Sequence, residues 1–68
     1  MVVWRTVNAL RLYAYQDDMQ VGAVYEDSEG YILAWAWPTN LSQKRHLGKF
    51  ITISRAREAV EDALAMGL

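Results

Sequence analysis

The first half of the chain alternates with a period of two. From Leu10 to Gln16 the side chains divide into Leu10, Leu12 and Ala14 on one side and Arg11, Tyr13 and Tyr15 on the other. The run Met19 to Glu26 alternates in the same way. Apolar residues at every second position mark half-buried strands. Asp17-Asp18 between them suits a two-residue hairpin turn, because aspartate tolerates left-handed backbone conformations. Closing the hairpin at Gln16 and Met19 pairs Ala14 with Val21, Leu12 with Ala23 and Leu10 with Tyr25, which predicts one shared face.

Asp27-Ser28-Glu29-Gly30 reads as a second turn, and Tyr31 to Trp37 as a third strand that Pro38 helps to end, since proline cannot donate to a ladder. Loop length decides which residues share a face. A three-residue loop (28–30) sets Leu33, Trp35 and Trp37 beside Val21, Ala23 and Tyr25. A four-residue loop sets Ile32, Ala34 and Ala36 there. The first gathers the large side chains and is the preferred register. Pro38 to His46 reads as a polar loop, and Lys49 to Ile53 as a short edge strand or extended lead-in. Val2 to Val7 is a candidate first strand at an edge.

The period then changes. Ala56, Ala59, Val60, Ala63 and Leu64 fall at i, i+3, i+4, i+7 and i+8, the apolar stripe of a helix. Ser54 is a suitable N-cap, so the helix is predicted from about Ser54 to Met66. The fold class is α+β: a three- or four-stranded antiparallel meander with one C-terminal helix across one face. The alanine stripe is expected to lie against the face bearing Trp, Leu and Tyr. The uncovered face is then expected to carry Arg11, Tyr13, Tyr15, Val24, Ile32, Ala34 and Ala36.

Composition narrows the function. A chain of 68 residues reads as a single domain over 1–68 and buries only about 60% of its unfolded surface. It is 53% apolar before its four glycines are added, against about 45–50% with glycine for an average chain. Some apolar surface is therefore expected to face a partner. No apolar run approaches the roughly 20 residues of a membrane span, and the charged start is unlike a signal peptide. A cytoplasmic location and no membrane partner are expected.

Catalytic chemistry lacks the residues it needs. Cysteine is absent and there is a single histidine, which leaves neither a disulfide framework nor an ordinary zinc ligand set. His46 is the one candidate imidazole base and sits among cations. Asp17-Asp18, a formal carboxylate pair, are better read as solvated turn formers. Gly22, Gly30, Gly48 and Gly67 are too scattered for a phosphate-binding loop. The expectation is no enzyme, no cofactor, no metal and no small-molecule substrate.

Charge supplies the remaining clue. Five of the seven Lys/Arg lie between 44 and 57, without an Asp or Glu among them, and five of the eight carboxylates lie between 17 and 29. Two surfaces are therefore candidates. The uncovered sheet face, through Arg11, Tyr13, Tyr15, Val24 and Ile32, is the candidate site for a protein partner or a second copy in a homodimer. The basic segment, through Lys44, Arg45, His46, Lys49, Arg55 and Arg57, is the alternative candidate for phosphates or nucleic acid.

Gly30-Tyr31-Ile32-Leu33-Ala34-Trp35-Ala36-Trp37, followed by His46-Leu47-Gly48-Lys49-Phe50 and by Ala56, Ala59 and Ala63, resembles the sheet-then-helix pattern of plant AP2-type domains and integrase arm-binding domains over residues 30–66. That resemblance implies a three-stranded sheet laid in a DNA groove with a helix behind it. The chain departs from the pattern in having only Arg11 among the basic residues assigned to its outward sheet face. In general style it is also similar to small phage and mobile-element proteins, including inhibitors and adaptors of host complexes.

Overall fold

The structure, a computed structural model, describes residues 2–37 and 45–66. Five strands, β1 (Val3–Asn8), β2 (Arg11–Gln16), β3 (Met19–Glu26), β4 (Ile32–Ala36) and β5 (Arg45–Phe50), precede one helix, α1 (Ile53–Ala65). The strands form one antiparallel sheet in chain order, β1-β2-β3-β4-β5. The expected sheet-plus-helix class is present with five strands rather than three or four. The predicted edge strand at the N-terminus exists. The fifth strand begins at Arg45, so Arg45 and His46 are strand residues and not part of a polar loop. The rest of that expected loop, with Pro38 and Lys44, lies outside the described residues.

Local chemistry explains the turns. Asp17 and Asp18 both take positive φ (53° and 66°), the left-handed pair that a tight hairpin requires. In the next turn the Asp27 carboxylate accepts from the backbone N–H of Glu29 (2.9 Å) and of Tyr31 (3.0 Å). The Asp27 N–H donates to the Tyr31 carbonyl, so the loop is the three-residue one, closed by Gly30 at φ 88°. Tyr25 accordingly pairs with Leu33, and Ala23 with Trp35.

The β2–β3 register differs from the expectation. Gln16 pairs with Met19 and Tyr15 with Gln20, but Ala14 then pairs with Gly22, Tyr13 with Ala23 and Leu12 with Val24. Val21 is an extra residue on β3, a β-bulge. One extra residue exchanges the faces of everything beyond it. Val21 (1% exposed) and Val24 (0%) thereby both enter the core. A second bulge, at Leu47, separates the Ala34–Gly48 and Trp35–His46 pairs, and Leu47 packs against the core.

The helix covers the face opposite to the expected one. Its buried residues are Ala56, Val60 and Ala63, and they join Ala14, Val24, Ile32, Ala34 and Ala36 in the core. Small residues on the helix meet small residues on the sheet. A Cβ added at Gly22 would lie 2.6 Å from Cγ1 of Val60 and 3.2 Å from the carbonyl oxygen of Trp35. Trp35 in the place of Ala34 or Ala36 would hold the helix away from the sheet; Trp4, on the edge strand, packs at its margin. The N-cap is Thr52 and not Ser54: the Thr52 side chain accepts from the Arg55 N–H at 3.2 Å. Two hydroxyls two residues apart satisfy the same capping preference. Here the helix starts immediately after β5, with only Ile51 and Thr52 between them, and the earlier hydroxyl takes the cap.

Two stability predictions follow from this packing. Gly22→Ala should destabilise the fold by about 1–3 kcal/mol, because the β-branched Val60 and the Trp35 backbone cannot yield cheaply; urea denaturation followed by far-UV circular dichroism measures it. Asp18→Gly should stabilise the fold by up to about 1 kcal/mol by relieving a left-handed backbone at a residue with a Cβ.

Candidate functional site: the uncovered sheet face

Trp4 and Phe50 pack at the margins of the helix side, and the other face is left to Tyr13, Tyr25, Leu33 and Trp35. Pairing places them in two rows that run across the strands. The first is Arg5–Tyr13–Ala23–Trp35–His46, one residue from each of the five strands. The second is Arg11–Tyr25–Leu33–Lys49, from β2 to β5. The rows lie two residues apart along the strands, about 7 Å. Each starts with an arginine, carries aromatic or apolar groups through its middle, and ends on β5 with an imidazole or an ammonium group.

The aromatics are held by specific partners. The Trp35 indole N–H donates to the Tyr25 hydroxyl at 2.9 Å. His46 stands edge-on to Trp35, with ring centroids 4.6 Å apart. The Arg11 guanidinium lies 5.8 Å from the centre of the Tyr25 ring, and that of Arg5 lies 5.2 Å from the Tyr15 ring. The Lys49 ammonium is 5.1 Å from the Tyr31 ring. Such contacts park a cation beside an aromatic face while leaving most of its hydrogen-bond donors in water.

Between Tyr13 and Trp35 the row narrows to Ala23, whose methyl group is the floor of an open concavity of about 620 Å³. Arg11, Tyr13, Gln20, Tyr25, Trp35 and Trp37 form its walls. No Asp or Glu occupies either row. Glu26 is the one carboxylate within a strand, and it pairs with Ile32 on the helix side. The others lie at the turns (Asp17, Asp18, Asp27, Glu29) or on the helix (Glu58, Glu61, Asp62).

This face contains part of each residue set expected from the sequence. Arg11, Tyr13 and Tyr15 lie on it. Val24 (0% exposed) and Ile32 (8%) do not, because the bulge at Val21 turns them under the helix. The basic segment is divided. His46 and Lys49 belong to the rows, whereas Arg45 pairs with Ala36 on the opposite side. Arg55 borders a separate groove with Lys49, Glu58 and Asp62. Arg57 lies 5.2 Å from the ring of Trp4, whose indole N–H donates to Glu61 at 2.8 Å. Arg57 is thus set beside Trp4 and Glu61 on the helix side, whereas Arg55 adjoins Lys49 at the β5 margin, among Glu58 and Asp62.

Arg5, Tyr25, Trp35 and Trp37 were not expected on the exposed side. The signal that identifies them is small-residue parity: Gly22, Ala34 and Ala36 match the alanine stripe of the helix and release the opposite parity to the surface. The outward face therefore has Arg5 and Lys49 in addition to Arg11.

Among the described residues no cluster of three His, Cys, Asp or Glu side chains could hold a metal ion. No helix among them is long and apolar enough to cross a membrane. The chain matches no protein-family model, no curated protein and no solved structure.

The Trp35–Tyr25 hydrogen bond is testable in the free protein. Tyr25→Phe should lower stability by about 0.5–1 kcal/mol while retaining the fold, with the Trp35 indole N–H resonance shifted in a proton–nitrogen correlation spectrum.

Proposed function

We propose that the chain is a non-enzymatic binding module, and that its working surface is the uncovered sheet face, which takes up nucleic acid. The observation that carries this reading is the sorting of charge. Arg5, Arg11 and Lys49 flank half-buried aromatics in two rows without a carboxylate, while the negative groups sit at turns and along the helix. A net charge of −1 therefore coexists with one face suited to an anion. Side-chain chemistry has little foothold there, since the single imidazole packs against Trp35 and no carboxylate adjoins it in its row. The segment 44–57, read from the sequence as the anion site, contributes His46 and Lys49 to the rows, with Arg55 beside Lys49 at the margin among Glu58 and Asp62 and Arg57 on the helix side beside Trp4.

A second reading places a protein partner, or a second copy of the chain, on the same face. Leu33, Trp35 and Trp37 favour it, because large apolar and aromatic groups dominate interface energetics. The two separate in one set of measurements. On the nucleic-acid reading, fluorescence anisotropy at low salt shows binding of labelled oligonucleotides, light scattering gives a monomer, and the double variant Arg5→Ala/Arg11→Ala weakens binding severalfold. Arg55→Ala/Arg57→Ala leaves affinity within about twofold. A dimer that dissociates on Trp37→Ser, with no oligonucleotide bound, favours the protein reading.

A further inference from the structure

We infer that the ligand of this face is single-stranded nucleic acid, with one base seated on Ala23 between the side chains of Tyr13 and Trp35; this rests on the nucleic-acid reading above. Three features point to an unpaired strand rather than a duplex.

The first is the shape of the row. Tyr13 and Trp35 lie on β2 and β4, with Ala23 of β3 between them. Neighbouring strands are about 4.8 Å apart, so the backbones of the two aromatics are separated by about 9.6 Å. The intervening methyl group leaves a notch with aromatic walls on both sides. A flat ring fits that notch between the two aromatic side chains, with the polar groups of Arg11 and Gln20 at its rim. Stacking of this kind needs a base whose faces are accessible, and every base presents a π-face, so the contact is tolerant of sequence. In a duplex those faces are occupied by neighbouring pairs, and the aromatics would be pressed against sugar and phosphate.

The second is the placement of cations at the ends of the rows. Arg5 and Arg11 stand on the β1–β2 side and Lys49 on the β5 margin. A strand whose bases lie over the aromatic centre carries its phosphates to these flanks. Arg11 and Arg5 are already held near tyrosine rings, and their remaining donors are free for phosphate oxygens.

The third is number. Three cations suffice for a short single strand but form a sparse footprint for a duplex, whose affinity comes mainly from neutralised phosphates. Here most of the affinity comes from stacking. Binding should accordingly show a shallow salt dependence. With three phosphate contacts the slope of log K against log salt is about −2, and each cation removed reduces its magnitude by about 0.7.

The test uses the intact chain and fluorescein-labelled oligothymidine and oligouridine of about 12 nucleotides, with a duplex of equal length as comparison. Single strands should bind at least tenfold more tightly than the duplex. Tyr13→Phe, which keeps the ring, should bind like the parent, and Tyr13→Ala should lose roughly 5- to 150-fold. Ala23 is 7% exposed at the base of the notch, and Ala23→Leu fills the notch and changes no charge. It should weaken binding at least tenfold with the salt slope unchanged, its circular dichroism spectrum showing that the sheet persists. Arg11→Ala should instead flatten the slope. Equal affinity for duplex and single strands would overturn the single-strand inference and leave nucleic-acid binding standing, as would Ala23→Leu and Tyr13→Ala variants that are folded and bind normally. No binding of any oligonucleotide at high micromolar protein and low salt would overturn both.

Discussion

The contact between Gly22 and Val60 governs the architecture. At that point helix and sheet approach so closely that a single methyl group has no room. A helix this near a sheet requires small residues on both surfaces, and Ala14, Ala34 and Ala36 on the sheet meet Ala56 and Ala63 on the helix. Interiors are packed to crystal-like density, so small residues against small residues bury well only when the two layers lie close together. Tyr25, Leu33 and Trp35 lie outside that layer, while Trp4, Leu47 and Phe50 pack only at its margins. The first three gather on the other face for the same reason that the helix sits where it does.

The two bulges refine this division. Val21 adds a larger aliphatic side chain to a core rich in alanine, and Leu47 does the same at the β5 edge. Each also exchanges inside for outside along its strand. Without the bulge at Val21, Arg11 and Tyr13 would share a face with Val24 and Ile32, and the aromatic rows would not form. A surface with two arginines, a lysine and five tyrosine or tryptophan rings is therefore a consequence of core packing as much as of any ligand. That common origin explains why Arg57, although close in sequence to His46 and Lys49, belongs to the helix side with Trp4 and Glu61.

Much of the fold is legible along the chain. Alternation through Leu10–Gln16 and Met19–Glu26 locates two strands, the paired aspartates mark the tight turn, and Asp27 to Gly30 marks a three-residue loop because each of these depends on neighbouring backbone chemistry. The alanine stripe locates the helix within a residue or so at either end. The site is legible only in part. Arg11, Tyr13 and Tyr15 follow from simple alternation within β2, ahead of the bulge at Val21. Tyr25, Trp35 and Trp37 read as core because large aromatics usually are core, and Arg5 is an unremarked charge in an edge strand until β1 is seen to pair with β2.

What the sequence determines by itself is local: which segments are strands, where the turns fall, which residue types a helix turns inward. These depend on interactions within a few residues. The tertiary structure decides which sheet face the helix takes, and with it which residues are buried and which are available for binding. That choice rests on the bulge at Val21, where one inserted residue exchanges the faces, and on the volume left between Gly22 and Val60. Both are set by packing between segments separated by tens of residues in the chain, and no periodicity within either segment expresses them.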